Sequence, residues 1–358
     1  MSAIGILGGG QLGRMLALAG HPLGHSFVVL TPERDAPAAA VAETIVADYD
    51  DPRALAALAA RVEVVTYEFE NVPAAAVATL SPRVPVRPGG EALVVASDRL
   101  NEKARFRELG IPTAPFASVE SAAELEAAVR DIGLPGVLKT RRLGYDGKGQ
   151  RVLQSRRDVE GAFTGLGAVP LLYEGFVAFR RELSIVAVRG LDGEVAFYPL
   201  VENRHEGGIL RFTRAPAADV PAALQARAEG YARALLESLD YVGVLALELF
   251  DDGTELLANE IAPRVHNSGH WTIEGAETSQ FENHLRAILG APLGSCAARG
   301  QSAMINLIGD APDPLAIQAV PGAHLHLYGK APRPGRKLGH VTVTAPDAAT
   351  LDARVEQL

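Results

Sequence analysis

The sequence predicts a multidomain protein of mixed α/β and α+β class, and three observations support this prediction. An apolar strand, a glycine-rich turn and a helix begin the chain, and apolar runs at residues 27–31 and 62–67 follow, which is typical of a small βαβ domain over residues 1–96. From residue 171, apolar runs separated by Asp-Gly turns indicate antiparallel sheet. From residue 302 the chain becomes rich in strands again, and its 358 residues are many for one hydrophobic core.

Composition and charge argue against several classes of protein. The formal net charge of −9 argues against a nucleic-acid-binding surface, so an anionic ligand must be held by local clusters of Arg and Lys. No apolar run approaches the roughly 18 residues of a membrane-spanning helix, and the first residues are expected to form a strand and not a signal peptide. The single cysteine, Cys296, excludes an internal disulfide and lacks an activating partner nearby, which fits a cytoplasmic protein without a cysteine nucleophile.

Three glycines follow the first predicted strand. Gly8, Gly10 and Gly13 match the G-x-G-x-x-G pattern, which brings backbone N–H groups at a helix N-terminus close to an anion. Glu33 follows Gly13 by 20 residues, where a dinucleotide-binding fold places its ribose-binding carboxylate. NAD binding is therefore one alternative, although a lone glycine pattern supports it only weakly. The third strand ends at Glu68-Phe69-Glu70-Asn71, so polar groups are expected at the carboxyl edge of the sheet.

A second glycine-rich segment lies at residues 143–150. A helix over residues 99–109, capped by Ser97 and Asp98, another helix over 122–132, and a strand ending in Lys139 are predicted before it. Three glycines and Lys148 between two strands indicate a flexible flap over phosphates. A glycine-rich hairpin loop without a ligand is the alternative, and the Walker order of residues is absent.

Antiparallel strands and long helices are predicted for the region that follows. Strands are expected at residues 171–177, 180–188 and 195–201, with a break at Gly175, and helices at 217–240 and 281–289. Strands at 303–308, 324–328 and 341–344 are expected at the C-terminal end. Basic and imidazole groups between residues 330 and 340 either bind a phosphate or form a solvated charged turn.

The most informative stretch is a predicted β-hairpin at residues 242–262. Its two apolar strands flank an Asp-Gly turn and carry one carboxylate each, Glu248 and Glu260. Because the turn lies midway between them, these residues should face each other with Cβ atoms about 5 Å apart. Two carboxylates that close on a buried face repel each other, which raises one pKa, and a bound Mg²⁺ would relieve the repulsion. An edge hairpin with solvated glutamates is the alternative, but Arg264, His266 and Asn267 directly after the hairpin favour a site.

Several motifs together resemble those of ATP-grasp enzymes along the whole chain. They are Gly10-Gln11-Leu12-Gly13-Arg14, Tyr145-Asp146-Gly147-Lys148-Gly149-Gln150, residues 262–272, and Gly329-Lys330 with residues 333–340. The resemblance implies an ATP-grasp fold with an N-terminal Rossmann-like (pre-ATP-grasp) βαβ domain over residues 1–96 and an ATP-grasp domain over 97–296. The small lobe is expected at about 112–178, and a small β-rich C-terminal domain over 297–358. Within the superfamily, the motifs are most similar to those of the purine-biosynthesis family that carboxylates 5-aminoimidazole ribonucleotide.

This resemblance implies a reaction and its cofactors. ATP would phosphorylate bicarbonate to carboxyphosphate, and the amine of 5-aminoimidazole ribonucleotide would take up the carboxyl group, giving 5-(carboxyamino)imidazole ribonucleotide, ADP and phosphate. ATP and Mg²⁺ are the implied cofactors, the implied partners are small molecules, and a homodimer is expected. Such phosphoryl transfer relies on charge neutralisation and alignment, so no nucleophilic side chain is expected.

The resemblance also implies the roles of individual residues. The expected Mg²⁺ ligands are Glu248 and Glu260, and Asn259 beside them should point to the opposite face if the strand is regular. The expected ATP-binding residues are Arg99, Lys139, Gly144, Tyr145, Asp146, Gly147, Lys148, Gly149, Gln150, Glu174, Gly175, Phe176, Val177, Glu182, His205, Asn259 and Glu260. The expected carboxylation residues are Tyr145, Asp146, Arg264, His266 and Asn267. The expected substrate-binding residues are Gln11, Leu12, Glu68, Lys330, Arg336 and Lys337.

Within this set, residues 174–177 are expected to bind adenine through their backbone, and Glu182 the ribose hydroxyls. Lys139 and Arg99 would neutralise phosphates, whereas Arg264 would face a developing oxyanion. Asp146 either steers the substrate amine or accepts its proton.

Two other functions remain open besides NAD binding. A formate-dependent glycinamide ribonucleotide transformylase shares the metal pair and the substrate-phosphate region, but the Tyr145-Asp146 flap and residues 266–271 favour the carboxylating family. A non-catalytic nucleotide-binding protein with an ATP-grasp fold is disfavoured by the presence of Glu248, Glu260, Lys139 and Arg264.

Overall fold

The computed structural model describes residues 2–144 and 147–358, and these residues form sheets of four, nine and four strands. The first sheet is parallel and the other two are antiparallel, which confirms the predicted mixture of α/β and α+β structure. No helix in the described ranges is long and apolar enough to cross a membrane.

The N-terminal sheet is a parallel sheet with strand order β3-β2-β1-β4. Its strands are β1 (Ala3–Leu7), β2 (Ser26–Thr31), β3 (Glu43–Val46) and β4 (Val64–Tyr67), and its helices are α1 (Gln11–Gly20), α2 (Pro52–Ala59), α3 (Ala74–Leu80) and α4 (Gly90–Ala96). Strands β1 and β4 are buried almost throughout, as expected for parallel strands covered on both faces. Strand β3 was not predicted, because it is a four-residue edge strand with polar residues.

Helix α5 (Arg99–Glu108) connects this sheet to the small lobe. Asp98 caps it by accepting a hydrogen bond from the backbone N–H of Leu100, as predicted. The small lobe consists of β5 (Phe116–Val119), α6 (Ala122–Ile132), β6 (Gly136–Thr140), β7 (Gln150–Leu153), α7 (Arg156–Val159), α8 (Ala162–Gly165) and β8 (Leu171–Gly175). Its sheet has the order β5-β8-β6-β7, so the flap segment joins the paired strands β6 and β7.

The large antiparallel sheet forms the centre of the molecule. It contains β9 (Arg181–Arg189), β10 (Val195–Phe197), β11 (Val201–Glu206), β12 (Ile209–Ala215), β13 (Gly243–Asp251) and β14 (Leu256–Ala262), with helices α9 (Ala222–Ser238), α10 (Thr272–Gly275) and α11 (Gln280–Leu289). The single strand expected over residues 195–201 is instead two strands, β10 and β11, and the polar residues 202–205 that were expected to end it lie within β11. Strand β11 turns at Gly207-Gly208 into β12, which was not predicted.

The C-terminal segment extends the same sheet. Strands β15 (Gln301–Ile308), β16 (Ala323–Leu327) and β17 (Lys337–Ala345) continue it in the order β12-β15-β17-β16, with helices α12 (Pro314–Gln318) and α13 (Ala348–Val355). Helix α11 packs between β13 and the N-terminal helix α1, and one hydrophobic cluster runs from Ile4 and Phe27 through Leu285 to Val244. The parallel sheet is thereby held against the large sheet, and a cleft remains between them.

Candidate active site

One cavity of about 760 Å³ lies where the three sheets meet. Residues from the turn after β1, from α5, and from strands of the small lobe and the large sheet line it. Most of the predicted site residues are among them, namely Gln11, Leu12, Glu68, Arg99, Lys139, Gly144, Gly147, Gln150, Phe176, Glu182, His205, Glu248, Asn259, Glu260, Arg264, His266, Asn267 and Lys337.

The remaining predicted residues fall into two groups. Among the described residues, those that do not line the cavity are Lys148, Gly149, Glu174, Gly175, Val177, Lys330 and Arg336. Tyr145 and Asp146, which were predicted for both the flap and the carboxylation site, lie outside the described residues.

Glu248 and Glu260 face each other across the hairpin of β13 and β14, as the position of the turn predicted. The register shifts directly after this pair, so that Leu249 faces Ala258 and Asn259 is the extra residue of a β-bulge. The strand is therefore not regular at this point. Asn259 lines the same cavity as both glutamates, and the expectation that it points to the opposite face does not apply.

The pKa values of the two facing carboxylates are shifted in opposite directions. Burial and the neighbouring charge of Glu260 raise the pKa of Glu248. Burial acts on Glu260 as well, but the guanidinium of Arg99 donates a hydrogen bond of 2.9 Å to its Oε2 and holds the pKa of this carboxyl below its ordinary value. The site thus holds one ionised carboxylate beside one that gains its charge only at higher pH.

This pair is suited to a divalent cation. Mg²⁺ is commonly held by one or two carboxylates together with substrate phosphates and waters, and not by a cage of protein ligands alone. Glu248, Glu260 and the amide oxygen of Asn259 provide that donor set. No cluster of three or more His, Cys, Asp or Glu suited to a metal occurs in residues 2–144 and 147–358.

Helix α5 supports the bulge with two buried charged side chains that were not predicted. Glu102 accepts a hydrogen bond of 2.6 Å from the N–H of Ile261, and Lys103 donates one of 2.7 Å to the carbonyl of Asn259. Burial, followed by the charge of Glu260, raises the pKa of Glu102 to about 8. Glu102 and Lys103 lie four and three positions before the fully buried Phe106. This spacing places them on the same face of the helix as Phe106, and it could have indicated in the sequence that they are buried.

Lys103 and Lys139 share one buried carboxylate. The Nζ atom of Lys103 lies 3.0 Å from Oε1 of Glu174, and the Nζ atom of Lys139 contacts Oε2. The Glu174 side chain therefore faces the lysines, whereas its predicted role concerned the backbone only.

Arg264 lies at the other side of the cavity, paired with Glu70. Its Nε donates a hydrogen bond of 2.7 Å to Oε2 of Glu70. Burial by itself raises the pKa of Glu70, but the charge of Arg264 outweighs it and lowers that pKa. Glu70 was noticed in the sequence only as a polar group after β4, because its partner lies 194 positions away.

A buried network of hydroxyl and amide groups orients His266. Its Nδ1 lies 2.9 Å from the hydroxyl of Ser268, which accepts a hydrogen bond of 2.8 Å from Ser184, which in turn accepts one from Asn203. Its Nε2 lies 3.4 Å from Oε1 of Glu248. Burial and the nearby charge of Arg264 lower the pKa of His266 to about 3, so the imidazole is neutral near neutral pH.

Other predicted residues also have partners within the protein. The amides of Asn267 and Asn306 exchange two hydrogen bonds, of 3.1 and 2.7 Å. His205 Nδ1 contacts Oε2 of Glu182, and this contact outweighs the effect of burial and raises the pKa of His205.

Glu68 occupies the N-terminus of helix α1. Its carboxylate accepts hydrogen bonds from the N–H groups of Gly10 and Gly13, the latter at 2.7 Å. A Cβ atom on Gly10 would lie 2.5 Å from Glu68 Oε1, so a larger residue here would force the carboxylate to shift. These two N–H groups, which the glycine pattern was expected to offer to a ligand, are bound by a side chain of the protein. The NAD alternative loses its physical basis here, and Glu33 is exposed.

The three predicted basic residues of the C-terminal region lie at different distances from the cavity lining. Lys337 lines the cavity, and Lys330 reaches its edge, where Nζ donates a hydrogen bond to Oε1 of Gln11. Arg336 is half-buried outside the lining, and its guanidinium donates to the carbonyl of Ala331.

Comparison with known proteins accounts for this arrangement. The "Ribonucleotide synthetase preATP-grasp domain" model matches residues 1–97, the "ATP-grasp domain" model matches 104–281, and the "Phosphoribosylaminoimidazole carboxylase C-terminal domain" model matches 302–354. The chain is therefore an ATP-grasp enzyme, an ATP-dependent ligase, and the fold expected from its motifs is confirmed.

The individual relatives identify the family more closely. The N5-carboxyaminoimidazole ribonucleotide synthase of Pseudomonas aeruginosa is 58% identical over 355 residues, which cover 99% of this chain and 98% of that protein. The crystal structure of the N5-carboxyaminoimidazole ribonucleotide synthetase from Thermus thermophilus matches with a TM-score of 0.96 and 57% identity, over 99% of this chain and 97% of that one. The chain belongs to the N5-carboxyaminoimidazole ribonucleotide synthase family.

A more distant member of the family has been solved with ligands. The N5-carboxyaminoimidazole synthase from Aspergillus clavatus, in complex with ADP and 5-aminoimidazole ribonucleotide, matches with a TM-score of 0.91 and 34% identity, over 99% of this chain and 96% of that one.

Proposed function

We propose that the protein carboxylates the amine of 5-aminoimidazole ribonucleotide in purine biosynthesis, with ATP and bicarbonate as co-substrates. The observation that carries this proposal is a single cavity that joins the facing carboxylates Glu248 and Glu260 to Arg264 and extends to Gln11 and Glu68. A nucleotide, bicarbonate and a ribonucleotide can therefore meet in one space. The resemblance of the chain to family members that bind ADP and the ribonucleotide supports the same assignment.

The proposed reaction has two steps. A bicarbonate oxygen attacks the γ-phosphorus of ATP, ADP leaves, and carboxyphosphate forms. The amine nitrogen then attacks the carboxyl carbon of carboxyphosphate, phosphate leaves, and the nitrogen loses a proton. The product is N5-carboxyaminoimidazole ribonucleotide, and no covalent bond to the protein is required.

At the nucleotide end, the protein supplies charge and shape. Lys139 and Arg99 line the cavity and would supply positive charge to the phosphates, and Glu182 and His205 lie where the ribose is expected. Phe176 and Phe250 provide apolar lining for adenine, and Phe250 is held by stacking on Phe179 at a ring-centroid distance of 4.7 Å. Glu248, Glu260 and Asn259 would hold Mg²⁺, which neutralises phosphate charge when it is bound.

At the carboxylation end, the charge of Arg264 is fixed by its ion pair with Glu70. A preorganised cation of this kind stabilises the negative charge that develops on the carboxyl oxygens, and removing one such donor typically costs about 10²–10³ in rate. His266 is neutral, so it orients ligands by hydrogen bonding and adds no further charge. Gln11, Leu12, Glu68, Lys330, Arg336 and Lys337 remain the predicted residues for the ribonucleotide.

The decisive experiment measures ADP release with Mg-ATP while 5-aminoimidazole ribonucleotide and bicarbonate are omitted in turn. Full release only when both are present is the expected result. Release with glycinamide ribonucleotide and formate would assign the protein to the transformylase reaction instead. Nucleotide binding without turnover under any condition would contradict the proposed reaction.

We also expect the protein to be a homodimer, as the family resemblance implies. Light scattering coupled to size-exclusion chromatography tests this expectation, and a mass near the 37.7 kDa of one chain would contradict it.

A further inference from the structure

A buried group of charges lies behind the cavity, and the proposed reaction does not account for all of it. Glu174 is 4% exposed, and it contacts Lys103 and Lys139 through different carboxylate oxygens. Among these three residues, Lys139 lines the cavity, whereas Lys103 and Glu174 do not belong to its lining. One carboxylate thus has one counter-ion that faces the ligand space and a second that lies behind it.

The two lysines are held very differently. Lys139 and Glu174 lie on the same face of the small-lobe sheet, since Val137 on β6 pairs with Glu174 on β8 and Lys139 is two residues further along β6. Lys103 belongs to helix α5 and donates to the carbonyl of Asn259 at 2.7 Å and to that of Ala258 at 3.4 Å. Because two carbonyl acceptors on β14 and the Glu174 carboxylate on β8 surround its ammonium group, Lys103 is held from two elements.

Electrostatics explains why two lysines are needed. Burial by itself raises the pKa of Glu174, but the charges of Lys103 and Lys139 lower it to about 2, so the carboxylate is ionised. A buried carboxylate that loses its counter-ion is strongly destabilised. If Lys139 alone paired with Glu174, turning the lysine towards a nucleotide phosphate would leave this carboxylate uncompensated.

We propose that Lys103 is a positioning residue that keeps the charge of Glu174 paired, so that Lys139 can exchange this carboxylate for a phosphate oxygen of the nucleotide. The inference rests on the proposed ATP-dependent function. When the phosphates enter, Lys139 turns from Glu174 to the ligand, and the pair of Lys103 and Glu174 stays neutral behind it. Affinity for the phosphates therefore depends on a side chain that does not touch them.

The test compares the dissociation constants of ADP and adenosine by calorimetry, because their ratio reports on the phosphate contacts separately from adenine and ribose. In the Lys103→Met variant, Glu174 retains Lys139, so the affinity for ADP should fall by about ten- to a hundredfold while that for adenosine stays within about twofold. In the double variant Lys103→Met/Glu174→Gln, the neutral amide no longer retains Lys139. The ratio should then return to within about twofold of the wild-type ratio.

A double variant that binds ADP as weakly as Lys103→Met would overturn the proposal, since Lys103 would then act only through the backbone of the bulge or through the fold. If Lys103→Met fails to fold, the double variant still carries the test, because it leaves no buried carboxylate that depends on Lys139 alone for its counter-ion. A wild-type ratio of the ADP dissociation constant to the adenosine dissociation constant supports the proposal, whereas a raised ratio or failure to fold contradicts it. A wild-type protein that does not bind ADP would instead refute the proposed function itself.

Discussion

Glu248 and Glu260 face each other directly across two antiparallel strands, and the register of the hairpin shifts by one residue immediately after them. The bulge places Asn259 beside the pair on the wall of the same cavity. Two carboxylates and an amide are thus presented together by adjacent strands, supported from behind by Glu102 and Lys103 of α5. This arrangement leads to two predictions, in both of which turnover falls, whereas only the second includes a gain in stability.

Glu260→Gln is expected to abolish turnover while the fold is retained. The amide removes one of two carboxylate ligands for Mg²⁺, and loss of such a ligand is expected to reduce turnover by about a hundredfold or more. ADP release measured over a range of Mg²⁺ concentrations tests this prediction. Glu255→Gln is the matched control, because Glu255 is exposed in the same hairpin. Near wild-type turnover of Glu260→Gln at limiting Mg²⁺ would show that the metal assignment is wrong.

Glu248→Gln is expected to stabilise the metal-free protein while it also reduces turnover. Burial and the charge of Glu260 raise the pKa of Glu248, so the folded protein binds a proton there more tightly than the unfolded chain does. The stability that this protonated carboxyl contributes at acidic pH is lost as pH rises through the raised pKa. The variant should therefore be more stable than the wild type by about 1–3 kcal/mol at pH 8 but not at pH 5. Urea unfolding at both pH values in the presence of EDTA checks this, and equal stability at pH 8 would argue against repulsion between the pair.

The pairing of Glu248 with Glu260 could be predicted from sequence because hairpin pairing depends on a local turn. The orientation of Asn259 could not, because a bulge arises from how β14 is held by α5, which lies about 155 positions earlier in the chain. Strand β12 was missed for a similar reason. Its partner β11 carries the polar residues Glu202, Arg204 and His205, which look like a loop in the sequence. They form a strand because β11 pairs with β9 on one side and β12 on the other.

The charged residues that the sequence analysis missed all have partners that are distant in the sequence. Glu70 pairs with Arg264 across 194 positions, and Lys103 contacts Glu174 and Asn259 on two other elements. A charged residue that is buried against a distant partner looks like any solvated one in a single sequence. The glycine pattern of residues 8–13 correctly indicated N–H groups close to a carboxylate, but the sequence did not show that Glu68 of the protein itself accepts from the N–H groups of Gly10 and Gly13.

Variants of the ion pair between Arg264 and Glu70 can distinguish an effect on catalysis from an effect on stability. Arg264→Gln is expected to lower kcat by about 10²–10³, because a fixed positive charge at the carboxylation end is lost. It also leaves the Glu70 carboxylate without its partner, which should lower the free energy of unfolding by about 1–3 kcal/mol. The double variant Glu70→Gln/Arg264→Gln should recover most of this stability but none of the turnover. Recovery of turnover in the double variant would mean that Arg264 acts only by neutralising Glu70.

His284, which is not among the residues that line the cavity, is expected to cause part of any acid-induced loss of stability. Its Nδ1 accepts a hydrogen bond of 3.1 Å from the N–H of Val244, so Nε2 carries the proton and faces the Thr66 hydroxyl at 2.8 Å. Burial lowers the pKa of His284 to about 3 in the folded protein. A depressed folded-state pKa means that stability is present above the unfolded pKa of about 6.5 and is lost as pH falls towards 3, at about 1.4 kcal/mol per pH unit. His284→Gln keeps an acceptor and a donor, so its unfolding free energy should fall less steeply between pH 6 and pH 4 in urea titrations, a range that lies within that window. His324→Gln, at an exposed site, should retain the wild-type slope, and an unchanged slope in His284→Gln would contradict the assignment.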